Sequence, residues 1–430
     1  MHDKRIGFLT FGHWQAAPGS QTPTARDALL QTVELAVVAE ELGLDGAFVR
    51  VHHFARQLSA PFPLLAAIAA RTSRIEIGTA VIDMRYENPL GMAEEAAVTD
   101  LLSGGRLQLG LSRGSPETAF HGSEAFGYVP GEGETAADLA RAKTALFRAA
   151  TSGAALVHAD AGGVPSQALL ALQPQSRSLG ERLWWGSGTR QTATWAGQQG
   201  LNLMSSTLLS EDTGMPFDEL QAEQIAVFRE AWREAGWERE PRVSVSRSVL
   251  PIVTDFDRQV FGRGSTRDQI GELEGVRARF GRSYIGEPDV IAEELSRDAA
   301  VREADTLLLT VPNQLGVAYN TRLLETVARD VAPATGWRPT TQRAAPGGPV
   351  LSRQDQVAGT RAAAGHRSCG VETAASPPDV NGRAPQREGA ADPGGGLRKL
   401  PKGSPAARAI RPAGRCAEAT RNSRDHSAAA

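Results

Sequence analysis

Short apolar runs alternate with helical patterns through residues 6–340 of this chain. The runs have the length of buried strands, and the segments between them repeat apolar residues at intervals of three and four. The predicted strands are Ile6–Phe11, Gly46–Val51, Ile75–Val81, Leu107–Leu111, Leu183–Trp185, Leu201–Met204, Val243–Leu250 and Thr306–Val311. The predicted helices are Ala25–Leu42, Pro63–Arg71, Leu90–Leu102, Ala136–Ala150 and the segments near 189–199, 217–235, 287–298 and 319–331.

This alternation predicts an α/β fold with a parallel sheet, because short strand–helix–strand connections are right-handed crossovers. Eight such units favour a closed (β/α)8 barrel, the TIM-barrel architecture, over an open doubly wound sheet. Ala154–Leu172 is predicted to be an inserted strand pair. Two further insertions, 115–135 and 254–285, both follow strands and are therefore candidate lids over a substrate site.

The C-terminal segment has a different composition. Residues 341–430 contain no Phe, Trp, Tyr or Met and show no periodicity, which predicts a disordered tail behind a domain at 1–340. The tail carries a net charge of +7 by count, so the first 340 residues carry −10 and make nucleic acid an unexpected partner for the folded domain. As a tail, the segment could be a nucleic-acid arm, a solvated extension or an out-of-frame ending; the absence of aromatic residues and charge blocks favours the last two.

Cysteine content and hydropathy indicate which thiol chemistry and which cellular location to expect. Cys369 and Cys416 both lie in the tail, so the predicted domain has no thiol for a disulfide, a zinc cluster or a nucleophile. No run of about 18 apolar residues occurs, and the N-terminus lacks a signal-peptide pattern. These observations predict a cytoplasmic protein with no membrane partner.

Two short motifs predict a phosphate pocket. Arg113 follows the fourth strand, and Gly186-Ser-Gly-Thr189 opens a helix after the fifth. A guanidinium can hold a phosphate with paired donors, and the free N–H groups at a helix start, with the hydroxyls of Ser187, Thr189 and Thr192, favour an anion. The alternatives are an ion pair between Arg113 and Glu117, and an ordinary helix cap by Thr189.

Three other motifs are weaker. Gly110-Leu-Ser-Arg-Gly114 spells a hydrolase nucleophile elbow, but Ser115-Pro116 breaks the helix that an elbow requires, which argues against Ser112 as a nucleophile. The glycines at 186 and 188 begin a dinucleotide fingerprint, yet Gln191 stands where its third glycine belongs. His52-His53 and His13 lack a nearby carboxylate or cysteine, so no metal site is predicted, and a packed histidine is the alternative, chiefly for His53.

Four segments resemble the bacterial luciferase-like, flavin-dependent monooxygenases. They are residues 48–54 (FVRVHHF), 75–81 (IEIGTAV), 105–114 (GRLQLGLSRG) and 186–200 (GSGTRQTATWAGQQG), and the resemblance runs from Ile6 to Trp337. Residues 110–116 with 126–128 resemble an uncharacterised FMN-dependent branch of that family. The resemblance implies a (β/α)8 barrel in which reduced FMN and O2 form a C4a-peroxyflavin that oxygenates a small organic substrate.

The resemblance also implies residue roles. Arg113, with Ser187, Gly188, Thr189 and Thr192, would hold the FMN phosphate. Thr79, Ala80 and Val81 would lie at the isoalloxazine ring, with a non-prolyl cis peptide at Ala80–Val81. His52 would support proton transfer, which suits an imidazole with its near-neutral pKa. Val51 stands where the family pattern has Glu, so a carboxylate expected beside the ring is missing. Arg247 and Tyr284 are predicted to meet a substrate anion.

Three functions follow as hypotheses. The first is an FMN monooxygenase supplied with reduced flavin by a separate flavin reductase, because no NAD(P)H fingerprint is present. The second is a deazaflavin-dependent dehydrogenase, which transfers hydride and does not use oxygen. The third is a non-catalytic flavin-binding protein, favoured by Val51 and disfavoured by His52. The resemblance implies a homodimer as well, and the small residues of Leu90–Val98 suit either a dimer contact or packing within one barrel.

Overall fold

The chain folds around a closed barrel of parallel strands, as the alternating pattern predicts. The computed structural model describes residues 4–114, 119–211, 213–273 and 276–342, all within one compact unit. The strands in these ranges are β1 (Arg5–Thr10), β2 (Gly46–Val49), β3 (Glu76–Asp83), β4 (Leu107–Ser112), β5 (Ala155–Asp160), β6 (Pro165–Ala171), β7 (Leu183–Ser187), β8 (Asn202–Ser205), β9 (Leu208–Leu209), β10 (Val243–Pro251), β11 (Gln269–Leu273), β12 (Val276–Phe280), β13 (Ser283–Gly286) and β14 (Thr306–Thr310). The barrel runs β1–β2–β3–β4–β7–β8–β10–β14 and closes where β14 pairs with β1 and β10 with β8.

Most helices of the described residues cover the outside of the barrel, and two short ones lie in its insertions. The helices are α1 (Ala25–Glu41), α2 (Pro61–Arg71), α3 (Pro89–Ser103), α4 (Gly122–Ala125), α5 (Ala136–Thr151), α6 (Arg190–Gln198), α7 (Phe217–Glu234), α8 (Asp255–Phe261), α9 (Pro288–Arg297), α10 (Ala299–Glu303) and α11 (Gly316–Thr326). Polar caps define their ends: Thr24 and Asp27 form a capping box on α1, and Gly104 ends α3 with a φ of 68°. None of the helices in the described part of the chain is both long and apolar enough to cross a membrane.

Two apolar clusters lie on opposite sides of the barrel wall. The inner cluster consists of Leu9, Phe48, Ala80, Val81, Trp184, Met204 and Leu308. The outer cluster, between strands and helices, includes Ile6, Val49, Leu65 and Leu109. Alternate residues of a strand point to opposite faces, so β1, β2, β3, β7, β8 and β14 contribute to both clusters.

The insertions have more structure than the sequence indicates. β5 and β6 form the expected antiparallel pair. The segment predicted only as a lid at 254–285 contains α8 and the hairpin β11–β12, which joins β9 in a three-stranded sheet. The helix expected at 287–298 ends at Arg297, because Asp298 instead caps a new helix, α10, by accepting the Val301 N–H. Residues 343–430 of the tail predicted at 341–430, and residues 115–118 of the first insertion, lie outside the described residues.

Candidate active site

A cavity of about 420 Å³ opens at the carboxyl ends of the barrel strands. This is the face at which (β/α)8 barrels bind ligands, and the volume lies within the usual range for small-molecule sites. The apolar side chains that line it are Leu9, Phe11, Ala80, Val81, Met204, Leu208 and Leu308. Its polar lining comes from Arg50, Ser112, Arg113, Ser187, Thr192, Ser205, Ser206, Thr207, Ser210, Ser244 and Ser246.

The apolar floor is built on an irregularity of β3. Pairing between β3 and β4 shifts between Thr79 and Ile82, so Ala80 and Val81 bulge from the ladder, and the peptide bond between these two residues is cis, as predicted. Thr79 does not line the cavity: its hydroxyl donates to the Gly110 carbonyl at 2.9 Å and accepts the Gly110 N–H at 3.0 Å. Thr79 therefore holds the bulge against β4 and does not face a ligand.

Glycines allow the strands to approach beneath this floor. A Cβ on Gly110 would lie 2.4 Å from the Thr79 carbonyl oxygen and 2.9 Å from the Met204 sulfur. A Cβ on Gly186 would lie 3.2 Å from a methyl group of Val81. The flat, side-chain-poor surface thus depends on glycine at both positions.

Arg113 and the start of α6 line the same cavity, as the two phosphate motifs predict. Arg113 is exposed, and within the described ranges it has no hydrogen bond, ion pair or ring contact. Gly188 and Thr192 line the cavity at the start of α6, and the hydroxyl-bearing loop of Ser206 and Ser210 follows β8. A guanidinium, a helix start and hydroxyls around one cavity form an arrangement suited to a phosphate.

The helix start is also ordered by local contacts. The Thr189 hydroxyl accepts the Thr192 N–H at 3.1 Å and donates to the Thr192 hydroxyl at 2.9 Å, so Thr189 is the N-cap, and it does not line the cavity. Glu211 accepts the Arg190 N–H at 3.0 Å. The helix-cap interpretation of Thr189 therefore describes its contacts here, and Ser187 and Thr192 are the predicted hydroxyl-bearing residues that line the cavity.

His52 lies beside the cavity rather than in its lining. Its Nε2 accepts a hydrogen bond from Arg50 Nε at 3.3 Å, and its ring stacks on Phe11 with centroids 6.2 Å apart. Burial lowers the pKa of His52 to about 4, and the positive charge of Arg50 acts in the same direction. The expectation of a near-neutral pKa is wrong for this reason: the charged imidazolium is disfavoured at this position.

The neighbouring positions differ in their surroundings. Val51, where the family pattern has Glu, is buried in the outer cluster and does not face the cavity. His53 stacks on Tyr86 with centroids 4.2 Å apart, although its Nε2 has no hydrogen-bond partner among the described residues.

Ser112 donates to the Ile82 carbonyl at 3.2 Å, a contact that does not suit a nucleophile. The described residues contain no group of three or more His, Cys, Asp or Glu side chains that could hold a metal ion.

Arg247 and Tyr284 do not meet the cavity, and the prediction that they contact substrate is corrected. Arg247 donates to the two Asp298 oxygens at 2.7 and 3.0 Å, and the Tyr284 hydroxyl donates to the same carboxylate at 2.5 Å. Ser244 and Ser246 line the cavity, so strand alternation directs Arg247 outward, toward the helices.

Arg50 is the residue that sequence reasoning missed. It lines the cavity, and its Nη1 donates to the Ala80 carbonyl at 3.1 Å. Strand alternation provides the signal that could have found it, because Arg50 is two residues beyond the inward-facing Phe48.

The fold and the cavity define the class: a parallel (β/α)8 barrel with its ligand site at the carboxyl ends of the strands. The family model of the luciferase-like monooxygenases matches residues 5–261. The chain therefore belongs to the luciferase-like monooxygenase family, which confirms the resemblance seen in the four sequence segments.

Relatives within this family use different chemistries. The chain is 31% identical over 110 residues to the oxygenase component of a flavin-dependent trigonelline monooxygenase from Acinetobacter baylyi, covering 25% of this chain and 30% of that protein. It is 40% identical over 100 residues to an F420-dependent glucose-6-phosphate dehydrogenase from Amycolatopsis mediterranei, covering 21% of this chain and 30% of that protein. The chain thus spans about a third of the length of the curated relatives it matches.

A solved structure supports the fold over a longer range. The oxygenating constituent of 3,6-diketocamphane monooxygenase from Pseudomonas putida, a type II Baeyer-Villiger monooxygenase in complex with FMN, superposes with a TM-score of 0.55 at 16% identity. The match covers 77% of this chain and 99% of that one. These comparisons establish a luciferase-like oxidoreductase family whose members use FMN or F420.

Proposed function

We propose that this protein is a flavin-dependent monooxygenase that uses reduced FMN and O2 to oxygenate a small organic substrate. The observation that carries the proposal is the placement of Arg113 and the start of α6 around one cavity whose floor is apolar. A functional parallel is the oxygenase component of the flavin-dependent trigonelline monooxygenase from Acinetobacter baylyi. A separate flavin reductase is the proposed electron source, as for a two-component system.

The residues present fit FMN. Arg113, the Gly188 backbone and the Thr192 hydroxyl would hold the phosphate, since a dianion gains most from a guanidinium that has no ion-pair partner among the described side chains. Ala80, Val81 and the glycine surface at Gly186 offer an apolar support for a flat ring. Bound reduced FMN supplies the electrons that activate O2.

Side chains of the protein would control the access of water to the cavity and the charge beside it. The apolar wall of Met204 and Leu308 limits water at the floor of the cavity. With its pKa lowered to about 4, His52 stays neutral at physiological pH, so it serves as a hydrogen-bonding group and not as an acid that donates from an imidazolium. Arg50 supplies positive charge at the cavity side of His52.

Hydride transfer with F420 is the second candidate. It is favoured by the 40% identity to an F420-dependent glucose-6-phosphate dehydrogenase over 100 residues. Both cofactors carry a tricyclic ring and a phosphate, so the same cavity features serve either one. In this candidate, the substrate is oxidised by loss of hydride and O2 is not consumed.

Binding and oxygen uptake separate the two candidates. The purified full-length protein is titrated with FMN and with F420, and each affinity is measured by the change in cofactor fluorescence. Reduced FMN is then generated by a flavin reductase with NADH, and O2 and hydrogen peroxide are followed with an electrode and a peroxidase assay. The proposal expects tighter binding of FMN and altered O2 consumption in the presence of the protein. Tighter binding of F420, with no effect on O2 consumption, would support the dehydrogenase instead.

A further inference from the structure

We infer that Arg50 is a positioning residue, which fixes His52 as the Nδ1–H tautomer and pins the Ala80 carbonyl at the floor of the cavity. This inference deepens the proposed function and rests on it for its catalytic meaning. Arg50 follows β2 and lines the cavity, whereas His52 lies beside the lining.

The direction of the first hydrogen bond is set by chemistry. Arg50 Nε lies 3.3 Å from His52 Nε2 and donates to it. A guanidinium keeps its protons at physiological pH and offers no acceptor, so the histidine nitrogen that faces it must be the unprotonated one. In a neutral imidazole the other nitrogen then carries the proton, which assigns it to Nδ1 of His52.

The second hydrogen bond compensates for a break in the sheet. β2 and β3 pair in register from Gly46 opposite Glu76 to Val49 opposite Thr79, and the pairing stops there. Beyond that point β3 bulges, and Arg50 Nη1 donates to the Ala80 carbonyl at 3.1 Å. The side chain of Arg50 thus continues, through a hydrogen bond, the contact that the backbone ladder no longer makes.

The surroundings of His52 keep it neutral. The groups that disfavour its charged form, after burial itself, are Arg50, His13 and His53, which lie on the segments after β1 and β2. His13 is half-buried, which lowers its pKa, and its ring stacks on Phe11 with centroids 5.5 Å apart. Because none of these groups attracts a proton to His52, Arg50 determines which nitrogen is protonated without making the ring an acid.

The tautomer can be measured directly. Full-length protein labelled with ¹⁵N-histidine, free of flavin, is studied by two-bond ¹H–¹⁵N correlation, and His52 is assigned by comparison with His52→Gln. The expected wild-type signal has a protonated Nδ1 and an unprotonated Nε2, and its titration midpoint lies well below that of a free histidine. In Arg50→Met the Nε2–H tautomer should become populated, and the midpoint should rise. Arg50→Lys keeps the charge and should retain most of the low midpoint.

Arg56→Met is the matched control. Arg56 is exposed on the same segment, with its guanidinium 5.5 Å from the Trp14 ring centroid, so this variant removes the same charge without touching His52. It should leave the His52 signal unchanged. An Nε2–H tautomer in the wild-type protein would overturn the inference even if Arg50→Met does not fold, and so would an unchanged His52 signal in a folded Arg50→Met. Because flavin is absent, a failure of FMN binding is a separate result that bears only on the proposed function.

Discussion

Arg113 and Arg50 both line the cavity, but their surroundings give them different roles. Arg113 has no hydrogen bond or ion pair with any described residue, and it faces the same space as Gly188 and Thr192. Arg50 is engaged with His52 and with the Ala80 carbonyl. A guanidinium without an ion-pair partner among the described residues is the one expected to gain most from an incoming dianion, since no ion pair with those residues must be broken.

Arg113→Ala should therefore weaken FMN binding. A charge-assisted hydrogen bond is worth about 1.5 to 3 kcal/mol, which corresponds to roughly a 10- to 150-fold increase in Kd. The measurement is a fluorescence titration with FMN, run beside riboflavin, which lacks the phosphate. Riboflavin affinity should change little, and an equal loss for both ligands would show that Arg113 does not act on the phosphate.

His52 leads to a prediction about stability and pH. Its pKa is lowered from 6.5 to about 4 in the folded protein, so between these values the unfolded chain binds more protons and folding becomes less favourable as the pH falls. The free energy of unfolding should decline from pH 6.5 toward pH 4, and His52→Gln should reduce that decline. Urea denaturation at several pH values tests this, with His158→Gln as a control because His158 is exposed on β5. Parallel curves for wild type and His52→Gln would contradict the prediction.

Two elements build the cavity, β3 through its bulge and α6 through its capped N-terminus. β3 bulges at Ala80 and Val81, and Thr79 fastens the bulge to Gly110 on β4. α6 begins at the edge of the same cavity because Thr189 caps its first turn. The cap and the ligand site share the N-terminus of α6. A variant is therefore needed that removes the contribution of the cap to stability and leaves the ligand contacts in place.

Thr189→Ala makes that separation. Loss of an N-cap hydroxyl costs about 1 kcal/mol of stability, and Thr189→Ser should retain most of it. Because Thr189 does not line the cavity, its removal should affect FMN affinity less than Arg113→Ala does. Urea denaturation gives the stability and fluorescence titration the affinity. If FMN affinity falls further in Thr189→Ala than in Arg113→Ala, Thr189 contributes to phosphate binding and the prediction is wrong.

At the scale of the whole molecule, a buried ion pair connects the helical layer to the barrel. Arg247 and Asp298 are 3% and 1% exposed, and their pair joins β10 to the start of α10. Arg247 and the accepted hydrogen bonds hold the pKa of Asp298 below its usual range despite burial, so the carboxylate stays charged. The pair lies outside the barrel wall, away from the cavity.

Asp298→Asn should strongly destabilise the protein without altering the site. Removing one partner of a buried pair leaves an uncompensated charge and costs about 3 to 5 kcal/mol. The control is Glu303→Gln, which breaks the more exposed pair with Arg229 and should cost less than about 1 kcal/mol. Urea denaturation measures both, and FMN affinity of the folded fraction should stay at the wild-type value. Equal, small effects of the two substitutions would refute a stabilising role for the buried pair.

Local sequence patterns were sufficient to predict the barrel and part of the candidate site. Apolar runs and helical periodicity depend on neighbours along the chain, so the eight barrel strands and most helices were predictable within a few residues. The cis peptide at Ala80–Val81 was implied by the family resemblance, and the phosphate motifs of Arg113 and Gly188 followed from short segments with specific chemistry. Arg247 was misplaced because its charge was considered without the strand alternation that directs it outward.

The sequence by itself determined the α/β class, the number of barrel units and the family. Only the tertiary structure decided which side chains share the cavity: it brought Arg50 to the Ala80 carbonyl, placed His52 behind Arg50 and buried Val51 in the outer cluster. The physical reason is that periodicity is a local property. A hydrogen bond between neighbouring strands and the burial that lowers the pKa of His52 arise only when segments distant in the chain pack together.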